Sequence, residues 1–188
     1  MSQTEPLRVP PWDPENPTVE QFAPNPGERA NEAGLDVSNN ELLESYETWN
    51  TWVYSSAGAV LVIADVVKRE VHGKAEKIVM ASCHALYDAL SSMSHELVKG
   101  IHAIQGGKTL MPSFGISTVP PWPDDGKLEL FPSAWAAIKP VLITVDESLA
   151  GNDPNNVPVL ATALAGVIRA GDQVAQDLES AFKSNEGQ

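Results

Sequence analysis

The segment 37–73, VSNNELLESYETWNTWVYSSAGAVLVIADVVKREVHG, decides the fold class of this chain. Its large apolar residues recur at steps of three and four positions, the spacing of one face of an α-helix: Leu42, Tyr46, Trp49, Val53, Ala57, Val60, Ile63, Val67 and Val71. Residues 38–41, SNNE, fit a capping box at the start of such a helix, and Gly73 suits the C′ position after its end. The segment predicts a first helix of about 30 residues, roughly 45 Å long.

A second stripe of apolar residues follows Gly73 and stops at Gly106 and Gly107, which are helix-ending residues. Its members are Val79, Cys83, Leu86, Leu90, Met93, Leu97, Ile101 and Ile104. Because a short turn folds two long helices back on each other, we expect an antiparallel hairpin over 38–105.

Two further stripes occupy the second half of the chain: Trp135, Ile138, Leu142, Val145 and Leu149, then Leu160, Leu164, Val167, Gly171, Val174, Leu178 and Phe182. Pro140 should bend the third helix without ending it, and Pro158 suits the first turn of the fourth. Glycine lowers helix propensity, so we assign Gly58, Gly166 and Gly171 to close approach between helix backbones.

The four stripes together predict a mainly α fold, an elongated helical bundle of two antiparallel helical hairpins. The hairpins cover 38–105 and 133–183, and a Pro-rich loop over 106–132 joins them. An extended Pro-rich N-terminal arm covers 1–37, and a short tail covers 184–188.

An α/β fold is the alternative, because β-branched runs near 60–65, 77–82 and 141–146 are compatible with short buried strands. We favour helices, because the apolar stripes persist for several turns on both sides of these runs.

The arm, 1–37, holds seven of the fifteen prolines, seven acidic residues and two basic ones. Proline fixes φ and removes backbone donors, so we expect this segment to be extended. Its few bulky side chains bury too little surface to offset its conformational entropy. We therefore expect another surface to hold it, either the body of the same chain or neighbouring copies, and we favour neighbouring copies.

The tetrapeptide Val-Pro-Pro-Trp occurs twice, at 9–12 and at 119–122. Proline pre-orders a backbone, and tryptophan supplies the buried area typical of binding hot spots. These properties favour a role in recognition or in packing within the chain. The alternative is that the tetrapeptide repeats by chance in a Pro-rich chain. The candidate partner-binding residues are Pro10, Pro11, Trp12, Phe22 and Trp122.

Twelve Lys+Arg against twenty-five Asp+Glu give a net charge of −13. Such a surface repels phosphate backbones, which disfavours general nucleic-acid binding. Four basic residues nevertheless cluster within 68–77, at the predicted first hairpin turn: Lys68, Arg69, Lys74 and Lys77. Two interpretations are open. These residues complement the negative end of the helix dipole, or they form a cationic tip that binds an acidic partner, either the arm of another copy or nucleic acid.

The sequence contains no pattern typical of a catalytic or metal site. His84, His95 and His102 share a helix face, but eleven residues span roughly 16 Å, too far for one metal ion. Residues 107–109, GKT, resemble the end of a phosphate-binding loop, but they follow a helix, and His102 stands where the motif needs glycine. Cys83 is expected to be a small core residue. We expect no enzymatic activity, no cofactor and no metal.

The function that these features favour is a non-enzymatic structural subunit of a larger homo-oligomeric assembly, such as a viral coat, phage virion or filament protein. The first alternative is an acidic protein-binding module, such as an inhibitor or immunity protein that masks a basic partner. A small α/β enzyme is the less favoured alternative. The start, MSQTEPLRVPPW, lacks the basic and apolar regions of a classical signal peptide, so we expect a cytoplasmic or virion location and no membrane partner.

Overall fold

A computed structural model describes residues 37–107, 122, 127–150 and 158–185. These residues form four α-helices: α1 (Val37–Glu70), α2 (Lys74–Gln105), α3 (Phe131–Ala150) and α4 (Pro158–Asn185). A short 3-10 helix, Leu128–Leu130, leads into α3. The described part of the chain contains no strand, which confirms the prediction of a mainly α protein.

The α/β alternative is wrong for all three segments that suggested it. Residues 60–65 lie in α1, 77–82 in α2 and 141–146 in α3. The β-branched residues of these runs continue the helical stripe around them, so burial on one helix face outweighs their local strand preference.

The four predicted stripes form the hydrophobic core. Every stripe residue is buried except Leu42 and Phe182, which are partly buried and pack against the core. Helix α1 buries more than its stripe, since 72% of its most apolar window is inside the protein. Trp52, Leu61 and Val66 are among the additional buried residues of α1.

Helix α1 lies along α2, with the start of α1 beside the end of α2. Gly100 of α2 faces the ring of Tyr46, and a Cβ added at Gly100 would lie 2.6 Å from Cδ1 of that ring and closer still to Cε1. Nearby, the Ser94 hydroxyl donates to Asn50 Oδ1 over 2.9 Å, so two buried polar side chains satisfy each other.

Helix α2 also lies along α4, and α4 along α3. The Ser82 hydroxyl near the start of α2 donates to Asp177 Oδ2 over 2.7 Å, near the end of α4. Ala89 Cβ lies 3.9 Å from the position that a Cβ at Gly166 would take. Helix α4 is therefore packed between α2 and α3, and it positions the face of α3 described below.

The helix ends differ in detail from the predictions. Helix α1 ends at Glu70, so Gly73 is the residue before α2, with φ 72°, and not the C′ residue of α1. Gly106 and Gly107 do end α2, since their N–H groups donate to the His102 and Ile104 carbonyls over 3.0 and 2.9 Å.

Two prolines of the second half lie within helices, one at the start of α4 and one in the middle of α3. Helix α4 begins at Pro158, as predicted, and α3 continues through Pro140. The 3-10 helix and the first two residues of α3 lie within the segment 106–132 that was assigned to a loop.

Candidate functional site

A row of five aromatic rings crosses the interior from α1 to α3. Its members, called the aromatic row below, are Trp49, Trp52, Trp122, Phe131 and Trp135. Neighbouring ring centroids lie 5.5 to 6.5 Å apart, from the Trp49–Trp52 pair to the Trp52–Trp122 pair. Offset and edge contacts at this spacing each add stabilisation beyond that of area burial, about 0.5–1.5 kcal/mol.

Hydrogen bonds fix the orientation of two indoles in this row. Trp122 Nε1 donates to the buried Ser56 hydroxyl of α1. Trp135 Nε1 donates to Asp172 Oδ1 over 2.8 Å, and Lys139 Nζ donates to Asp172 Oδ2 over 2.7 Å. Together these bonds tie α3 to α4 and residue 122 to α1.

The Asp172 carboxylate is the charged group at the end of the aromatic row. Partial burial acts to raise its pKa, but the hydrogen bonds from Lys139 and Trp135 and the charge of Lys139 outweigh that effect, so its pKa lies below its ordinary value. The carboxylate is therefore ionised at neutral pH and serves as a structural acceptor.

Trp122 is 8% exposed and lies in the core. The sequence left both recognition and packing open for Trp122. Its burial is typical of packing within the chain. The other tryptophan of the repeated tetrapeptide, Trp12, lies outside the described residues, as do Pro10, Pro11 and Phe22.

The four basic residues of the predicted tip, Lys68, Arg69, Lys74 and Lys77, are exposed around the turn between α1 and α2. Arg69 forms an ion pair with Asp65 at 2.9 Å, one turn earlier in α1. Ile78, 44% exposed, adds an apolar side chain beside them. The structure thus brings the four cations together, and their partner remains a prediction.

The histidines and the cysteine of α2 lie in different environments. His84, His95 and His102 are exposed, and His84 Nε2 lies 3.4 Å from Asp88 Oδ2. Cys83 is fully buried, and burial first, then the negative charge of Asp177, raises the pKa of its thiol to about 12. A thiol held in this way is unreactive at neutral pH.

A shallow cleft of about 450 Å³ lies between α2 and the start of α4. His95, Glu96 and Thr162 are among its lining residues, but Lys99 Nζ donates to Glu96 Oε1 over 2.7 Å. Among the residues that the structure describes, no group of three or more metal-ligating side chains occurs.

The exposed side of α3 is a surface feature that sequence reasoning missed. Residues 128–147 are long and apolar enough to cross a membrane by length and composition, and so are residues 40–70; the described part of the chain holds these two such segments. The segment in α1 is a core helix, since most of it is buried, but only 33% of the most apolar window in 128–147 is buried.

This side of α3 is called the uncharged face below, and it comprises Ser133, Ala136, Ala137, Pro140 and Ile143, all of them exposed. The one charged residue of the segment 130–144, Lys139, is half-buried and occupied with Asp172. Ile143 of α3 and Leu130 of the 3-10 helix are 38% and 37% exposed, less than Ile78 and Val159 on other helices. The signal was present in the sequence as a run of fifteen residues with a single charge.

Comparison with known proteins finds no matching family model, no matching curated protein and no matching solved structure.

Proposed function

We propose that this chain is a non-enzymatic structural subunit of a larger homo-oligomeric assembly, such as a viral coat, phage virion or filament protein. The observation that carries the proposal is the uncharged face of α3. An apolar helix that leaves two-thirds of its most apolar window unburied gains free energy when another surface covers it.

The proposed subunit is an elongated bundle of two antiparallel hairpins, α1 with α2 and α3 with α4, preceded by the arm 1–37. The contacts of Tyr46 with Gly100 and of Ser82 with Asp177 support opposite directions for neighbouring helices. The aromatic row supports a rigid body, because its rings connect α1 to α3 through the interior.

The charges of the chain support a second contact between subunits. The arm carries seven acidic and two basic residues, whereas the exposed tip at 68–77 holds four of the twelve basic residues. An acidic arm that docks on the basic tip of another copy is a head-to-tail contact, and such contacts form rings or filaments. We propose that the arm links the subunits in this way.

The native mass of the full-length protein tests the proposal. Light scattering coupled to size-exclusion chromatography should give particles of several times 20.2 kDa. Removal of residues 1–36 should abolish the large particles, and circular dichroism should show that the helices remain. A monomer of 20.2 kDa at high concentration, with the arm present, would contradict the proposal.

An acidic protein-binding module is the second candidate function, and the net charge of −13 favours it. Opposite charge speeds association with a basic partner. A basic protein captured at one-to-one stoichiometry by a monomeric chain would support this candidate over the first.

A further inference from the structure

We propose that the space between α1 and α3 is a binding groove for the tetrapeptide Val-Pro-Pro-Trp, and that Trp12 from the arm of a neighbouring copy replaces Trp122 in it when subunits assemble. This inference rests on the proposed function, because it specifies where the arm of one subunit holds the next. The space is called the Trp122 groove below, and its lining side chains are Trp52, Ser56, Phe131 and Trp135.

Trp122 occupies the groove as a ligand would, because it belongs to neither of the helices that form the walls. Within the described residues, α1 and α3 do not pack directly on each other, and Trp122 and the 3-10 helix connect them. The Trp122 ring lies 6.5 Å from the Trp52 ring and 5.6 Å from the Phe131 ring, inclined by 28° and 30°. Since walls and occupant come from separate segments, another segment with the same side chain can take this place.

The Ser56 hydroxyl makes the groove selective for an indole. Ser56 is fully buried, and its hydroxyl donates to the Trp52 carbonyl over 2.8 Å. Its single proton is thereby used, and its oxygen accepts a hydrogen bond from Trp122 Nε1. A buried acceptor that loses its donor costs free energy, so the groove favours a ring with an N–H group over phenylalanine or leucine.

The arm carries the same tetrapeptide as the segment that ends in Trp122. Residues 9–12 and 119–122 both read Val-Pro-Pro-Trp, and in each case the next three residues are one proline and two acidic residues. Four of the five tryptophans of the chain belong to the aromatic row, and Trp12 is the fifth. The prolines restrict both segments in the same way, so a groove that accepts one tetrapeptide accepts the other.

Exchange of one tryptophan for the other is close to balanced inside the groove, because the same contacts are lost and made. Trp122 has the advantage of a short connection, since it lies six residues before Leu128 of the 3-10 helix. Such a connection gives an effective concentration of about 1 mM. We therefore expect Trp122 in the groove in dilute solution, and Trp12 only where copies are packed closely, as they are in an assembly.

Charge favours the arm once a neighbour supplies it. Ser56 and Lys68 are twelve residues apart on α1, about 18 Å at 1.5 Å per residue. An extended chain covers about 3.3 Å per residue, so the eight residues from Trp12 to Glu20 reach up to about 26 Å. The three acidic residues of 13–20 can thus approach the basic tip while Trp12 lies in the groove.

A neighbouring copy supplies such an arm more easily than the same chain does. The chain's own arm joins α1 at Val37, which is about 46 Å from Lys68 along the helix. The seventeen residues from Glu20 to Val37 cover at most about 56 Å, so the chain's own arm must be nearly fully stretched to reach the tip. An arm from another copy is free of this restriction and of its entropic cost.

A synthetic peptide of residues 7–15 tests the groove. In the full-length protein, Trp12→Ala removes the competing tetrapeptide of the arm, and adding Trp122→Ala empties the groove. Isothermal titration calorimetry should show that the peptide binds the double variant about tenfold or more tightly than it binds Trp12→Ala alone, because Trp122 no longer competes. The same peptide with Trp12→Ala is the matched control and should bind neither protein.

Three results of the titration would overturn the inference. They are equal affinity of the peptide for the two proteins, equal affinity of the two peptides, and binding of a peptide of residues 117–125 without binding of 7–15. The first would mean that Trp122 does not compete, and the second that the indole is not recognised. The third would mean that the groove does not accept the tetrapeptide of the arm.

A cross-link in the protein with its natural groove identifies the donor copy and does not require the double variant to fold. Full-length protein labelled with ¹⁵N carries benzoylphenylalanine in place of Asp13, and it is mixed with the unlabelled natural protein. After irradiation, mass spectrometry should find cross-links from position 13 to 52–56 or 131–135 of the unlabelled copy. Cross-links confined to one copy, or cross-links only to other regions, would overturn the inference.

Particle mass separates this inference from the proposed function. Trp12→Ala should reduce the large particles as removal of residues 1–36 does, whereas Val19→Ala, an apolar residue of the arm outside the tetrapeptide, should leave them unchanged. If large particles persist in Trp12→Ala but not after removal of 1–36, the groove exchange is wrong and the structural role stands. If the natural protein is a monomer at every concentration, both are wrong.

Discussion

Two glycines of the same helix, Gly166 and Gly171 of α4, should respond to alanine substitution with opposite signs. In a helix interior, replacing glycine with alanine adds about 1 kcal/mol of stability when the methyl group has room. At Gly166 the nearest atom to the new methyl group would be Ala89 Cβ at 3.9 Å, an ordinary contact. Gly166→Ala should therefore stabilise the protein by about 0.5–1 kcal/mol.

At Gly171 the same methyl group would collide with a buried ring. It would lie 2.5 Å from Cε2 of the Trp135 indole and closer still to Cζ2 and Cη2. The rigid indole must move, and its 2.8 Å hydrogen bond to Asp172 moves with it. Overpacking costs about 1–3 kcal/mol and a weakened bond to a carboxylate costs more, so the gain in propensity is outweighed. Gly171→Ala should destabilise the protein by about 1–3 kcal/mol.

Urea unfolding measured by circular dichroism and by tryptophan fluorescence gives both free energies, provided the slope with denaturant is unchanged. In a Trp135→Leu background the collision is removed, and Gly171→Ala should then stabilise as Gly166→Ala does. A Gly171→Ala protein at least as stable as the natural one, with an unshifted fluorescence spectrum, would refute the packing described for the aromatic row.

Three further predictions concern the thiol, the buried polar pair and salt. Folding raises the pKa of the Cys83 thiol from 9.0 to about 12, so the folded state binds this proton more tightly than the unfolded state does. The stability that this group contributes is therefore complete below about pH 9 and falls by about 1.4 kcal/mol per pH unit above it. Unfolding of the natural protein and of Cys83→Ala at pH 8 and at pH 10 would measure this fall. Dithionitrobenzoate should label Cys83 only as fast as the protein unfolds, and rapid labelling of the native protein would contradict its burial. Asn50→Ala leaves the buried Ser94 hydroxyl without this acceptor and should cost about 1–3 kcal/mol, whereas Asn50→Ala with Ser94→Ala should recover part of that loss in urea unfolding. Raising sodium chloride from about 50 to about 500 mM screens charge and should weaken docking of the acidic arm on the basic tip; an unchanged particle mass in sedimentation equilibrium would contradict that contact.

The helices and the core could be predicted from the sequence because both depend on local periodicity. Trp49, Val53 and Ala57 are three and four positions apart, and that spacing alone determines the face that they share. The β-branched run at 60–65 was ambiguous by itself, and its helical neighbours on both sides decided its structure.

The contacts between distant segments could not be predicted in the same way. Nothing near Trp122 in the sequence indicates that its indole bonds to Ser56 and lies between Trp52 and Trp135. Gly171 was assigned to close approach of helix backbones, but it makes room for the Trp135 ring, and at Gly166 no such close neighbour is found. These are long-range packing facts, and a single sequence carries no local signal for them.

The uncharged face was missed for a different reason. The stripe of Trp135, Ile138 and Leu142 explains the core side of α3, and an exposed alanine or proline opposite it is unremarkable when taken singly. The face becomes apparent only when the structure shows that 33% of the most apolar window in 128–147 is buried.

The aromatic row and the uncharged face lie on opposite sides of the same helix, and this arrangement has an energetic consequence. Association costs free energy for every segment that it must order. Helix α3 is already held on its inner side by Phe131 and Trp135, by the bonds to Asp172 and by its packing on α4. Its outer side is therefore presented in a fixed shape, and a partner that covers it does not have to order it first. If Gly171→Ala loosens the row as predicted, it should then reduce the fraction of large particles in light scattering without altering any residue of the uncharged face.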